Sequence, residues 1–318
     1  MWRDYFYFDN NQSQVKGNRY FLSSSKSLKD ELSFALSLLN GNKINESGKY
    51  IHCLFPARYM MLKEKFNISS DESLCQDYLA FKKGLDIDNV FFVFTSAYAN
   101  NPASIFGHTF LRFGRKSRGN FETTKEILGY SMAFQARPKK NDGALVYTYK
   151  GLTGGYMAYP DIKPHYINIG IYNNGESRDL WEFKLNLSRK EKEFLSAHLW
   201  ELSHAGAFRY YFFDDNCSSF ILKFLQNIRS SVNLNGHENF VVIPQETFKE
   251  VYHEFNATKI FFRPSLRKKI EISYRKLSEI QKNEFKKIND GKNSRDKKAL
   301  DVSIAFWKFK NYSSHNQL

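Results

Sequence analysis

Cysteine is scarce in this sequence: three in 318 residues, Cys53, Cys75 and Cys217, with no C-x-x-C pair. The scatter of these cysteines and of the eight histidines argues against a structural zinc site, and no metal or other cofactor is expected. An odd count fits one disulfide plus a free thiol, or three reduced thiols, and spacing leaves both open. Long apolar runs are also missing. The best candidate, Val90-Phe-Phe-Val-Phe94, is strand-sized, far short of the roughly 18 residues that cross a bilayer. The opening Met1-Trp-Arg-Asp-Tyr-Phe6 lacks the apolar stretch and small-residue cleavage site of a secretory signal, so the expectation is a cytosolic chain or one that begins after its signal. With 42% hydrophobic and 25% charged residues, wholesale disorder is excluded, and the length is ample for a buried core.

Aromatics and positive charge are abundant. There are 30 Phe, 19 Tyr and 4 Trp, and 47 Lys+Arg against 33 Asp+Glu give a net charge of +14. One reading is a compositional bias toward Phe, Lys, Asn and Ile without functional meaning; the other is attraction to a polyanion, either nucleic acid or an anionic lipid surface. No nucleic-acid reader motif accompanies the charge, so an anionic lipid surface is the expected contact and nucleic acid is not a partner. Residues 267–298 hold 12 Lys/Arg and 5 Asp/Glu, which places half of the net charge in a basic tail that reads as one or two exposed helices.

Residues 1–85 read as helical. Leu28, Leu32, Ala35, Leu36 and Leu39 share one helical face after Ser27, and Tyr59–Phe66 is a second, shorter helix. From Val90 the texture turns to antiparallel β, with strands expected at 90–96, 107–113, 126–134, 166–172 and 178–185. Lys150-Gly-Leu-Thr-Gly-Gly-Tyr156 lacks the Lys-Ser/Thr ending of a P-loop and is not a nucleotide site. Ser188 and Glu191 form a capping-box pattern opening a helix through about Leu202. Asp214-Asp-Asn216 is helix-start chemistry, and Phe220, Ile221, Phe224, Leu225 and Ile228 form a stripe, so Cys217 falls on the first turn of a helix with a buried face.

That position carries chemistry. A helix N-terminus favours thiolate over thiol, and its free amides can serve an oxyanion. A thiol nucleophile also needs a base, and His108, where a loop enters a strand after Gly107, is the best placed histidine. His198 and His204, on or after the capped helix, read as packing or surface residues.

Several motifs in order then resemble one family. Asn101-Pro-Ala-Ser-Ile-Phe-Gly-His-Thr-Phe-Leu-Arg112 and Asp215-Asn-Cys-Ser-Ser219 look like the bacterial lipoprotein N-acyltransferase (Lnb) N-terminal periplasmic domain family. Cys53-x-Phe-Pro-Ala-Arg-Tyr59, Lys150–Tyr156, Glu176-Ser-Arg-Asp-Leu-Trp-Glu182 and His198-Leu-Trp-Glu-Leu202 agree. The resemblance covers roughly residues 2–265. It implies an α+β fold with a circularly permuted papain-like core, similar to lecithin:retinol acyltransferase, in which the Cys-bearing helix packs on an antiparallel sheet. Domain bounds follow: a helical segment over 1–85, the thiol acyltransferase domain over 86–265 and a basic helical tail over 266–318.

The resemblance further implies Cys217 as nucleophile, His108 as base, and a third, orienting residue on a neighbouring strand, with Tyr130 and Ser131 as candidates and Gln135 behind them. Ser104, Arg112 and Asn216 are the expected substrate contacts, Arg112 toward a phosphate. The implied activity moves a fatty acyl chain from a phospholipid to an amine such as a lipoprotein N-terminus, in the periplasm or outer cell envelope. There Cys53 and Cys75 would form a disulfide and leave Cys217 free. The competing readings are a thiol peptidase or amidase of the same fold, and a binding module without turnover.

Overall fold

The computed structural model describes residues 2–9, 11–98, 104–115, 128–139, 141–213, 215–234 and 241–315. Ser27 accepts from the backbone N–H of Asp30 and opens helix α1 (Leu28–Leu38). Pro56 occupies the first turn of α2 (Pro56–Phe66), where its missing N–H costs nothing. Helix α3 (Gln76–Leu85) follows, and Cys53 and Cys75 are joined by a disulfide that ties the start of α3 to the turn before α2. Cys217 is the free cysteine.

The β-rich centre contributes β1 (Asn89–Thr95), β2 (His108–Gly114) and β3 (Tyr130–Ala136), then helix α4 (Ala144–Leu152) and β4 (Tyr156–Pro164). Strand β5 (Leu180–Leu185), helix α5 (Arg189–Ala205), β6 (Phe208–Tyr210) and α6 (Cys217–Ile228) come next. The capping box at α5 is complete: Ser188 accepts from the Glu191 N–H at 3.2 Å, and Glu191 accepts from the Ser188 N–H at 2.7 Å. Helix α7 (Pro244–Glu254) and edge strand β7 (Ile260–Arg263) complete a seven-stranded antiparallel sheet of order β6-β4-β3-β2-β1-β5-β7. The basic tail forms three helices rather than one or two: α8 (Leu266–Arg275), α9 (Glu279–Asn289) and α10 (Lys297–His315).

Strand alternation gives the sheet two unlike faces. Phe92, Leu111, Phe113, Met132, Phe134, Ala158 and Phe183 point to one side and join Phe220, Phe224 and Leu225 of α6 and Leu199 of α5 in the main core. The Cys-bearing helix thus packs on β2 and β3, in the α+β arrangement expected. Val93, Phe110 and Ala133 point to the other side, where Tyr172 and Leu180 cover them.

Residues 166–172, expected as a strand, are helical: an α-helical turn at His165–Asn168 continues into a π-helical segment at Ile169–Gly175. The alternating Ile167, Ile169 and Ile171 invite a strand reading, yet the buried residues His165, Asn168 and Tyr172 are three and four apart, a helical period. The strand lies earlier, at β4. Helix α4 was hidden by the glycine-rich segment that ends it. A Cβ on Gly151 would lie 2.1 Å from the Phe212 ring, and one on Gly154, at φ +72°, would lie 2.3 Å from the Tyr211 ring. These glycines let the segment leading to Cys217 pack closely.

The N-terminal segment shares the main core through α5. Tyr5, Phe6, Tyr7 and Tyr20 pack there, and the His198-Leu-Trp-Glu-Leu202 motif is the seam. The Tyr7 hydroxyl lies 2.9 Å from His198 Nε2, and Trp200 Nε1 donates to the Cys53 carbonyl at 2.9 Å. Glu201 Oε1 accepts from the Ala57 and Arg58 N–H groups, while its Oε2 accepts from the Tyr5 hydroxyl and lies 3.2 Å from Arg58 Nε. His198 is therefore a packing residue, as expected.

Candidate active site

Asn216 builds the start of α6. Its Oδ1 accepts from the Ser218 and Ser219 N–H groups, and its Nδ2 donates to the carbonyls of Phe212, Phe213 and Val242. This five-way tie fixes the first helical residue, Cys217, against the end of β2. Gly107, at φ +101°, lets the chain turn into β2: a Cβ there would meet the Phe94 ring at 2.5 Å. Across the junction Thr109 Oγ1 and Ser218 Oγ lie 2.8 Å apart. The result is a contact of 2.9 Å between His108 Nδ1 and Cys217 Sγ.

Both groups are buried, at 8% and 2% exposure. Burial, with Arg178 and Lys163 nearby, pulls the His108 imidazole down to about 3. Burial likewise pushes the Cys217 thiol above its ordinary value, against the opposing pull of the Thr109 backbone, the Ser218 hydroxyl and Arg178. Helix position alone favours a thiolate; here burial acts against it and favours the neutral forms of both groups. The two groups lie within hydrogen-bond reach of each other, the distance that proton transfer between them requires.

His108 Nε2 is buried and has no hydrogen-bond partner among the described residues. Tyr130 does not reach it. That residue pairs with Phe113, five positions along β2, roughly 17 Å away by strand rise, and its side chain packs into the main core on the opposite face. Ser131 is committed to His165, 2.8 Å from its Nδ1. Gln135 shares the His108 face, and its amide donates at 3.3 Å to the Tyr172 hydroxyl, whose ring centre lies 5.6 Å from that of His108.

The three expected substrate contacts each have partners within the protein. Arg112 is 1% exposed, paired at 2.7 Å with Glu182 and stacked 3.8 Å from the Phe91 ring centre, so it is closed off from solvent. Asn216 is occupied as the helix cap. The Ser104 carbonyl closes the turn before His108 by accepting from the Tyr98 and Gly107 N–H groups. Among the described residues, the group with metal-like spacing is His52, Cys53 and Cys75, and its two sulfurs are bonded to each other.

Arg178 and Tyr210 are the neighbours that sequence reasoning missed. Arg178 is 1% exposed, donates to the Ser96 carbonyl at 2.6 Å and pairs with Glu176 at 3.0 Å. Its charge favours the thiolate. The Tyr210 hydroxyl lies beside Cys217 and takes its backbone N–H, and burial holds that phenol well above its usual range. The Glu176–Glu182 motif contained the signal for Arg178, but only the fold shows its relation to the thiol. Replacing Arg178 by Gln removes a cation from a buried thiol, so the pH dependence of Cys217 alkylation by iodoacetamide should move to higher pH. An unchanged profile would show that Arg178 has no electrostatic role there.

With this geometry in place, the family comparison is decisive. The Lnb N-terminal periplasmic domain matches residues 77–254, more than half of the chain and all of the His108–Cys217 unit. The chain belongs to this family. A second family, described as a domain of unknown function, matches residues 1–65. No curated protein and no solved structure matches the chain. The Lnb-type domain is described as periplasmic, and among the described residues no helix is long and apolar enough to cross a membrane.

Proposed function

We propose that this Lnb-family chain is a thiol-dependent acyltransferase of the cell envelope, carrying a fatty acyl group from a phospholipid through a Cys217 thioester to an amine. The observation that carries the reading is the 2.9 Å pairing of a lone free thiol at a helix N-terminus with a buried, neutral imidazole, inside a domain of this family. Gathering of the base and nucleophile from residues 109 apart supports an active rather than a silent site.

In the first half-reaction His108 Nδ1 takes the thiol proton as Cys217 Sγ attacks the ester carbonyl. The Ser218 and Ser219 N–H groups are held by Asn216 Oδ1, so the group we assign to the oxyanion is the Tyr210 hydroxyl beside Cys217. Collapse breaks the ester C–O bond, and His108 returns the proton to the leaving lysophospholipid alcohol. In the second half, an amine attacks the thioester carbonyl, His108 accepts a proton from the nitrogen and delivers it to the departing thiol. The amide product and free Cys217 close the cycle, with ping-pong kinetics.

The test is a transfer assay with phosphatidylethanolamine and phosphatidylglycerol vesicles and a synthetic peptide bearing an N-terminal diacylglyceryl-cysteine. Lysophospholipid and N-acyl peptide should appear in equal amounts and vanish in Cys217→Ser. Cleavage of peptide bonds without acyl transfer would replace this reading with the peptidase one.

A further inference from the structure

Helix α4 turns an apolar face outward. Leu145, Tyr149 and Leu152 are spaced i, i+4, i+7, with Val146 beside them, yet Leu145 is 88% and Tyr149 68% exposed. The opposite side of the same helix is already satisfied. Tyr147 lies 5.3 Å from the Phe212 ring centre, Gly151 presses on the same ring, and the Phe212 N–H donates to the Gly151 carbonyl. A helix apolar on both sides is stable in water only if something covers the second side.

A second exposed apolar pair lies close along the chain to the candidate active-site residues. Phe106, two residues before His108, and Phe213, four before Cys217, are both exposed and meet with ring centres 6.0 Å apart. The loops that deliver the base and the nucleophile therefore join in a surface aromatic pair, next along the chain from the Phe212 on which α4 rests. Among the described residues, exposed cations flank α4 and the strands beside it. Arg137, Lys139 and Arg209 are exposed, whereas the carboxylate of Asp142 is taken by Lys150 and Tyr156.

We infer that the outer face of α4, with Phe106 and Phe213, is a docking surface for an anionic phospholipid bilayer. Charge complementarity supports the assignment, and so does position, on the functional reading above. An amphipathic helix lying in the interface sinks about 5–10 Å, to the headgroup–acyl boundary. That is the level of the glycerol ester, so docking by this face sets the Cys217 site near the bond to be attacked. The basic tail is then an auxiliary contact rather than the anchor.

The test is sedimentation of the full chain with vesicles of equimolar phosphatidylglycerol and phosphatidylcholine. The variant Leu145→Ser/Tyr149→Ser/Leu152→Ser should lose roughly tenfold or more in partitioning, and the tail variant Lys286→Gln/Lys292→Gln/Lys298→Gln less than about threefold. In parallel, acylation of Cys217 by a water-soluble short-chain ester should be equal in wild type and the α4 variant, which shows that the variant is folded. Wild type that sediments with vesicles but never acylates would sink the catalytic reading and leave docking standing. Wild-type binding by the α4 variant, or a tenfold loss confined to the tail variant, would overturn the docking surface. So would a concentration-dependent dimer that the α4 substitutions dissolve, since a second copy would then cover the face.

Discussion

Replacing His108 by Ala should slow acylation of Cys217 by about 10²- to 10⁴-fold at neutral pH, the usual worth of a positioned general base. The size follows from the burial of the thiol. A group held above its ordinary titration range supplies little thiolate by itself, so attack depends on the proton acceptor 2.9 Å away. Burial and neighbouring cations pull His108 down to about 3, so it is unprotonated but weakly basic in the resting site, and it can hold the thiol proton only once substrate entry relieves that burial. The variant should also gain rate steeply with rising pH, as hydroxide takes over the imidazole's task. A rate of acyl-enzyme formation within threefold of wild type, followed by intact mass over time, would show that the contact is structural.

Replacing Arg58 by Ala should destabilise the fold by about 3–5 kcal/mol, the penalty for leaving a buried charge uncompensated. Arg58 is wholly buried, 3.2 Å from Glu201 and 3.7 Å from Glu31, which are wholly buried too. It also stacks on the Tyr20 and Phe55 rings, with centroid distances of 4.5 and 4.3 Å, and donates to the Tyr20 carbonyl. Its loss would strand two carboxylates at the seam between the N-terminal segment and α5. Tm should fall by roughly 10 °C in a scanning measurement. Arg58→Lys should recover part of the loss, because the charge returns without the planar fork. A drop under about 1 kcal/mol would mean that the carboxylates are protonated in the native state and that Arg58 is held by stacking alone.

The approach of His108 to Cys217 was the most legible part of the candidate site, because its signals are local. Asp-Asn ahead of Cys217 announces a helix start, Gly107 ahead of His108 announces a turn into a strand, and the apolar stripe of Phe220, Phe224 and Ile228 fixes the buried face. Which residues surround the pair was not legible. Tyr130 looked eligible by adjacency to the strand, but with a two-residue period its position opposite Phe113 sends it into the main core, and that register is set by partners far along the chain. Arg112, expected to reach toward a phosphate, is instead buried and paired with Glu182, 70 residues on, a partner that only the fold reveals. The segment 166–172 misled for a related reason, since an apolar run of five to seven residues has the same composition whether it forms a strand or a buried helical turn. Arg58 and Glu201 stood in two separate motifs, and their pairing appears only when α5 is laid against the N-terminal segment.

The account's central claim is that Cys217 carries an acyl group as a thioester. Intact-mass spectrometry of the full chain after incubation with phospholipid vesicles, wild type beside Cys217→Ser, tests it most directly. The prediction is a mass gain of one fatty acyl group in wild type, removed by hydroxylamine and absent as a thioester in Cys217→Ser. No acyl adduct on wild-type protein whose Cys217 still alkylates with iodoacetamide would contradict it.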